Sequence, residues 1–185
     1  MKKLSQAALF IVLLFAGSAC TTGEGSQLDT QVATEANAPV QTAVDESVDS
    51  TLYVVAAYDP ERDPAEDLKL AVERARVTNK RILLEVGGDW CSWCHALDRF
   101  IHENTRVADK LREEYLIVKV NYSEENENAA FLSQYPEIPG YPHIFVLESD
   151  GTFLHSQGTG ELELDKSYSE EAFLAFLDTW ASSES

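Results

Sequence analysis

This sequence predicts an α/β domain whose central mixed sheet is covered by helices on both faces, and three observations carry that prediction. Short aliphatic runs alternate with stretches of helical periodicity. One run, Tyr115 to Asn121, is apolar on both faces apart from Lys119, as a central strand between two helical layers must be. A Cys-x-x-Cys pair stands where a strand pattern gives way to a helix pattern. With 185 residues, 44% of them hydrophobic, the chain has length for a single compact domain once an N-terminal targeting region is set aside.

The chain opens with Lys2 and Lys3, an apolar run from Ala7 to Ala16, and the small residues Gly17, Ser18 and Ala19 before Cys20. That order is an export signal over residues 1–19 rather than a fold element. Residues 20–50 are rich in Thr, Ser, Gln, Ala, Glu and Asp and contain no aromatic residue, which reads as a disordered tether. The thirty residues from Thr21 to Ser50 have a root-mean-square reach of roughly 30 Å. The folded domain is expected over 51–185, beginning near Leu52.

Asp63, Pro64 and Glu66 form a helix-start signature, after which Leu68, Ala71, Val72 and Ala75 mark one buried face and the helix ends near Asn79. Ile82 to Val86 is a strand. A second helix begins at about Cys91, breaks near Asn104-Thr105 and resumes through Val107 and Leu111. The central strand Tyr115–Asn121 follows. Glu124 to Tyr135 is polar, with a short helix expected where Phe131, Leu132 and Tyr135 gather. Pro136, Pro139 and Pro142 exclude helix from the approach to the next strand. His143 to Leu147 and Thr152 to His155, joined by Ser149-Asp150-Gly151, read as a hairpin. After an insertion rich in Glu and Leu, a last helix carries Phe173, Phe176, Leu177 and Trp180 on one face.

The chemistry centres on Asp89-Trp90-Cys91-Ser92-Trp93-Cys94-His95. Two cysteines separated by two residues at a strand-to-helix junction indicate redox chemistry. A helix N-terminus offers unpaired N–H groups and partial positive charge, which favour a thiolate, so Cys91 reads as the exposed nucleophile. Cys94, one turn later on the same side, can reach its sulfur and form a disulfide.

The strand, the Trp-Cys-x-x-Cys motif, the helix and then Gly140-Tyr141-Pro142-His143 entering another strand together resemble the thioredoxin family over roughly residues 51 to 183. The resemblance implies a thioredoxin-like fold. It also implies that Pro142 is a cis proline facing the cysteines, that Tyr141 lends backbone groups to an extended partner peptide, and that Glu85 is a buried acid able to take a proton from Cys94. A trans Pro142 that merely ends a loop, and a Glu85 on the outer face of its strand, are the alternatives. Trp90 and Trp93 suit an apolar contact surface around Cys91, with core packing as the alternative for Trp90. Two departures stand out: Gly87 occupies a position where many thioredoxins have a second tryptophan, and Ser92-Trp93 replaces the usual Gly-Pro pair. The Trp-Cys-x-Trp-Cys-His form is similar to exported thioredoxin-like proteins. Cys20 after small residues resembles the acylated cysteine of bacterial lipoproteins; a plain secretory signal with a chance cysteine is the alternative.

A net charge of −18 repels phosphate backbones and excludes a nucleic-acid partner. The cysteine pair, the export signal and the two resemblances together imply a membrane-tethered, extracytoplasmic protein-disulfide reductase that cycles Cys91 and Cys94 between dithiol and disulfide. Its partners are disulfide-containing exported proteins and a membrane electron donor of the thiol-disulfide interchange type. The domain is placed in a bacterial cell envelope, lipid-anchored through Cys20, facing the periplasm or the outside of the cytoplasmic membrane. An oxidase or isomerase, or a binding or chaperone-like module with little turnover, are the other readings.

No metal and no organic cofactor are expected. The order Cys91-x-x-Cys94-His95 also matches c-type haem attachment, but the preceding strand, Glu85 and Pro142 argue against it, and the one methionine is Met1. Zinc held by Cys91, Cys94, His95 and His143 would rest on a single Cys-x-x-Cys with scattered histidines. His102 and His155 read as solvated, while a protonated His95 lies near enough to Cys91 to raise its thiolate fraction.

Overall fold

The computed structural model describes residues 49–182; the export signal over residues 1–19, Cys20 and the tether up to residue 48 lie outside them. Five strands form one mixed sheet in the order β1-β3-β2-β4-β5. These are β1 (Tyr53–Val55), β2 (Arg81–Gly87), β3 (Tyr115–Asn121), β4 (His143–Leu147) and β5 (Phe153–Gly158). β1 and β2 run parallel to β3, whereas β4 is antiparallel to β2 and β5 antiparallel to β4. Helices α1 (Pro64–Thr78), α2 (Ser92–Glu103), α3 (Thr105–Glu114), α4 (Ala129–Leu132) and α5 (Glu170–Trp180) complete the domain.

The central strands sort their side chains by alternation. Ile82, Leu84 and Val86 join Leu116, Val118 and Phe145 under Ala71 and Ala75 of α1 and Phe131 of α4. Leu83, Ile117 and Val146 face the other way, under Leu97 and Ile101 of α2, Leu111 of α3 and Phe173 and Leu177 of α5. All seven residues of β3 are buried, Lys119 included. Both faces of the sheet are therefore covered, as the sequence predicts.

Helix ends follow local chemistry. The Asp63 carboxylate accepts from the Ala65 N–H, Pro64 occupies the first turn, and Asn79 ends α1 in the left-handed region at φ 54°. Asn104 separates α2 from α3 by serving both: its N–H donates to the Phe100 carbonyl and its side chain accepts from Val107 N–H at 3.2 Å. The α1 face is rotated slightly from the expected one. Asp67 is buried beside Ala71 and Ala75, and its carboxylate pairs with Arg62.

Several expectations are corrected. Asp49, assigned to the tether by composition, accepts from Arg112 Nε at 2.6 Å and from the Thr51 N–H, so it belongs with the folded domain. The helix expected at the end of Glu124–Tyr135 spans one turn. β1 is too short to show alternation and was not foreseen, and β5 runs three residues beyond His155. The Glu- and Leu-rich insertion folds as a 3₁₀ turn (Thr159–Leu162) and a ribbon of β6 (Glu163–Leu164) and β7 (Ser167–Tyr168). His155 is not solvated: its ring stacks on Trp180 with centroids 4.3 Å apart.

Phe145 is fully buried and stacks on Tyr135 at 4.7 Å. Phe145→Ala is expected to lower unfolding stability by about 3–5 kcal/mol, read as a reduced urea midpoint with unchanged slope.

Candidate functional site

β2 ends at Gly87, and the Cys91 N–H closes the following turn on the Gly88 carbonyl at 2.9 Å. Cys91 is the N-cap of α2, with extended backbone (φ −90°, ψ 105°) and a sulfur that accepts from the Cys94 N–H at 3.1 Å. The two cysteines form a disulfide, with their Cα atoms 5.3 Å apart. Cys91 is only 4% exposed and Cys94 wholly buried, so in this oxidised form the expected exposed nucleophile is enclosed. Tyr58, Trp93 and Tyr141 pack around the pair and enclose it.

An aromatic rim surrounds the disulfide. Trp90 is 59% exposed, which excludes the core alternative; its Nε1 donates to the Tyr122 carbonyl at 2.7 Å and its ring meets Tyr141 edge-on at 5.6 Å. Tyr141 in turn stacks on Tyr122 at 4.8 Å. Beside this ridge lies a cleft of about 560 Å³ lined by Trp90, Tyr122 and the acidic loop carrying Glu124, Glu125 and Glu127. Trp93 turns the other way, edge-on to Tyr168 at 5.7 Å, and its carbonyl accepts from the Tyr168 hydroxyl. The Tyr141–Pro142 peptide is cis, and the Pro142 carbonyl accepts from Thr159 Oγ1 at 2.7 Å.

Beneath the pair the site is buried and ionisable. Glu85 is 2% exposed and accepts from the Tyr58 hydroxyl at 2.5 Å, so it does not lie on an outward face. Lys119 is its register partner on β3, and the Lys119 ammonium bonds both Asp98 carboxylate oxygens at 2.5 and 2.6 Å. Burial pushes the Glu85 carboxyl above its ordinary range, opposed by Lys119 and by the Tyr58 hydrogen bond. Burial and the Glu85 charge hold the Tyr58 phenol well above its ordinary value of 10.0. Gly87 is required by proximity, because a Cβ there would stand 2.5 Å from Cys94 Sγ and 3.0 Å from the Tyr58 hydroxyl.

The sequence reading missed Tyr58 and Asp98. Asp98 had a signal, since it lies four residues after Cys94 on the same helix face and opposite the odd lysine of β3. Tyr58 had none, because it sits in an irregular segment before α1 and reaches the site only through the fold.

The histidines do not converge on the cysteines. His95 is exposed, with Nε2 2.7 Å from the Asp89 carbonyl oxygen, and His102 is exposed as well. His143 is buried on β4 with Nε2 2.8 Å from Ser156 Oγ, and burial pushes its pKa down. Among the described residues no group of three or more His, Cys, Asp or Glu is placed to hold a metal.

Two predictions follow from this geometry. A folded-state pKa of Glu85 above its unfolded value of 4.5 means that it contributes stability below pH 4.5 which is lost as pH rises through the folded value. Glu85→Gln removes that dependence while keeping an acceptor for Tyr58, so the variant should become progressively more stable than the parent from acid to neutral pH in urea titrations. Gly87→Ala should lower stability by about 1–3 kcal/mol through crowding of Cys94 and Tyr58, measured in the same way.

A family model described as thioredoxin-like matches residues 63–149. The chain is similar to the disulphide isomerase of Xylella fastidiosa Temecula1, with a TM-score of 0.57 and 27% identity over 66% of this chain and 94% of that one. It shares its fold with the oxidised C-terminal domain of DsbD from Neisseria meningitidis, at a TM-score of 0.50 and 19% identity, covering 68% of this chain and 99% of that domain. Among curated proteins, the thiol:disulfide interchange protein DsbD of Pseudomonas fluorescens is 26% identical over 125 residues, which is 67% of this chain and 20% of that protein. The chain thus spans about a fifth of that relative's length. A matching family model, a similar fold that covers nearly all of that neighbour and a disulfide capping the helix after β2 agree: the described domain is thioredoxin-like, with its cysteine pair at the head of the helix that follows β2.

Proposed function

We propose that this domain is a membrane-tethered, extracytoplasmic protein-disulfide reductase. The observation that carries the proposal is the Cys91–Cys94 disulfide at the N-terminus of α2, flanked by the Tyr141–Pro142 backbone and an exposed Trp90, above a buried Glu85. In the dithiol form the Cys91 thiolate attacks one sulfur of a partner disulfide. The other partner sulfur leaves as a thiolate, and a Cys91–partner mixed disulfide remains. Cys94 then loses its proton to Glu85 and attacks Cys91 Sγ, releasing the second partner sulfur. The partner gains two electrons and the cysteine pair loses two.

The oxidised pair must then be reduced by a second dithiol. The likeness to DsbD, a thiol:disulfide interchange protein, supports a membrane donor of that class. The export-type residues 1–19 and the cysteine at position 20 support a lipid anchor in a bacterial envelope, with exported disulfide proteins as substrates. A second reading, isomerisation or oxidation, is favoured by the likeness to a disulphide isomerase at 27% identity.

Equilibrating the full chain with dithiothreitol and its oxidised form separates the two. A reduction potential near about −270 mV is expected for the reductase, and one near about −120 mV would overturn it in favour of oxidation. Cys94→Ala should accumulate mixed disulfides with exported proteins, and Cys20→Ala should leave the membrane fraction; a Cys20→Ala chain that stays membrane-bound would refute the anchor.

A further inference from the structure

Resolution by Cys94 requires that a fully buried thiol give up a proton, and the structure shows what stands next to it. Tyr58 packs with Cys91 and Cys94 as a small cluster apart from the two main cores. Its hydroxyl donates its own proton to Glu85 Oε1 at 2.5 Å, which leaves the oxygen lone pairs free to accept another. Gly87 shows where that oxygen faces: a single Cβ position there lies 3.0 Å from the Tyr58 hydroxyl and 2.5 Å from Cys94 Sγ. Hydroxyl and sulfur therefore border one small space that glycine leaves open.

We infer that Tyr58 relays the proton of Cys94 to Glu85 in the resolving step, an inference that rests on the thiol-disulfide exchange proposed above. As the Cys94 S–H bond breaks, its proton passes to the Tyr58 oxygen while the Tyr58 proton passes to the Glu85 carboxylate. Cys94 becomes the attacking thiolate, Glu85 becomes a carboxylic acid, and Tyr58 ends as the neutral phenol it was. The transfer is a concerted shift of two protons with no phenolate between, consistent with a phenol pKa held far above its usual value by burial and the Glu85 charge.

The groups around Glu85 fit this role. Lys119 on β3 sits with its ammonium 4.9 Å above the Tyr58 ring and balances the charged carboxylate before transfer. Once Glu85 is protonated, Lys119 keeps Asp98 of α2 as its partner, so no buried cation is left alone. Tyr53 of β1 and Tyr168 of β7 also feel the Glu85 charge, and burial pushes both phenols up. Asp98 and Lys119 also line a cavity of about 470 Å³.

The test uses the full chain in its dithiol form, mixed in stopped flow with an aromatic disulfide that releases one coloured thiolate on Cys91 attack and a second on Cys94 resolution. Tyr58→Phe keeps the ring against the cysteines and removes only the hydroxyl. Its first phase should stay within about twofold of the parent, while the second slows about tenfold to a hundredfold between about pH 6 and 8 and recovers only towards the ordinary thiol range near about 8.5. Glu85→Gln should slow the second phase similarly, and the double variant should be no slower than the slower single one, because both remove the same relay. An unchanged second phase in Tyr58→Phe, an equal slowing of both phases, or additive slowing in the double variant would each overturn the relay. Absence of both phases in the parent chain would instead refute the exchange reading itself.

Discussion

An ionisable carboxyl buried in the middle of a sheet organises this domain. A carboxylate taken out of water costs several kcal/mol unless charge and hydrogen bonds replace the solvent it loses. Glu85 meets that condition by drawing on separate parts of the chain: the Tyr58 hydroxyl from the segment before α1, Lys119 from β3, and through Lys119 the Asp98 carboxylate of α2. The same side chains that make the buried acid tolerable also tie the sheet to the helix that carries the cysteines. Stability and chemistry are coupled here, because the group whose ionisation is unfavourable in the folded state is the one positioned to accept a proton.

Above that floor the site has a different character. The ridge of Trp90, Tyr141 and Tyr122 is partly open to solvent and bordered by acidic residues, whereas the disulfide itself is almost wholly enclosed in its oxidised form. Tyr58, Trp93 and Tyr141 are the side chains that pack against it. The acidic border, in a chain of net charge −18, disfavours anionic partners at that approach.

The insertion between β5 and α5 holds the site from both sides. Thr159 bonds the Pro142 carbonyl, and Tyr168 bonds the Trp93 carbonyl while its ring packs against Trp93 and Phe100. The tryptophan between the cysteines thus has a specific structural counterpart in Tyr168 of β7. In composition this insertion is a polar surface stretch, yet Leu162 and Tyr168 are buried in the core.

Much of the fold is legible in the sequence because its signals are local. Capping residues at Asp63 and Asn104, alternation in β2 and β3, helical spacing of Leu97 and Ile101, and prolines before β4 each act through the backbone within a few residues. The position of Cys91 at the head of α2 follows from the same local order. What the sequence alone left open depends on contacts between distant residues. Which way Glu85 points, whether Trp90 is exposed or packed in the core, and the meeting of Tyr58 with Cys94 across Gly87 were decided only by packing. β1, with three residues, and the β6–β7 ribbon, with two per strand, are too short to carry a period and exist because neighbours supply their hydrogen bonds. Local backbone chemistry determined where the elements and the cysteine pair lie. Long-range burial decided which side chains stand beneath that pair, because only the folded sheet forces a carboxyl, a phenol and an ammonium to satisfy one another out of water.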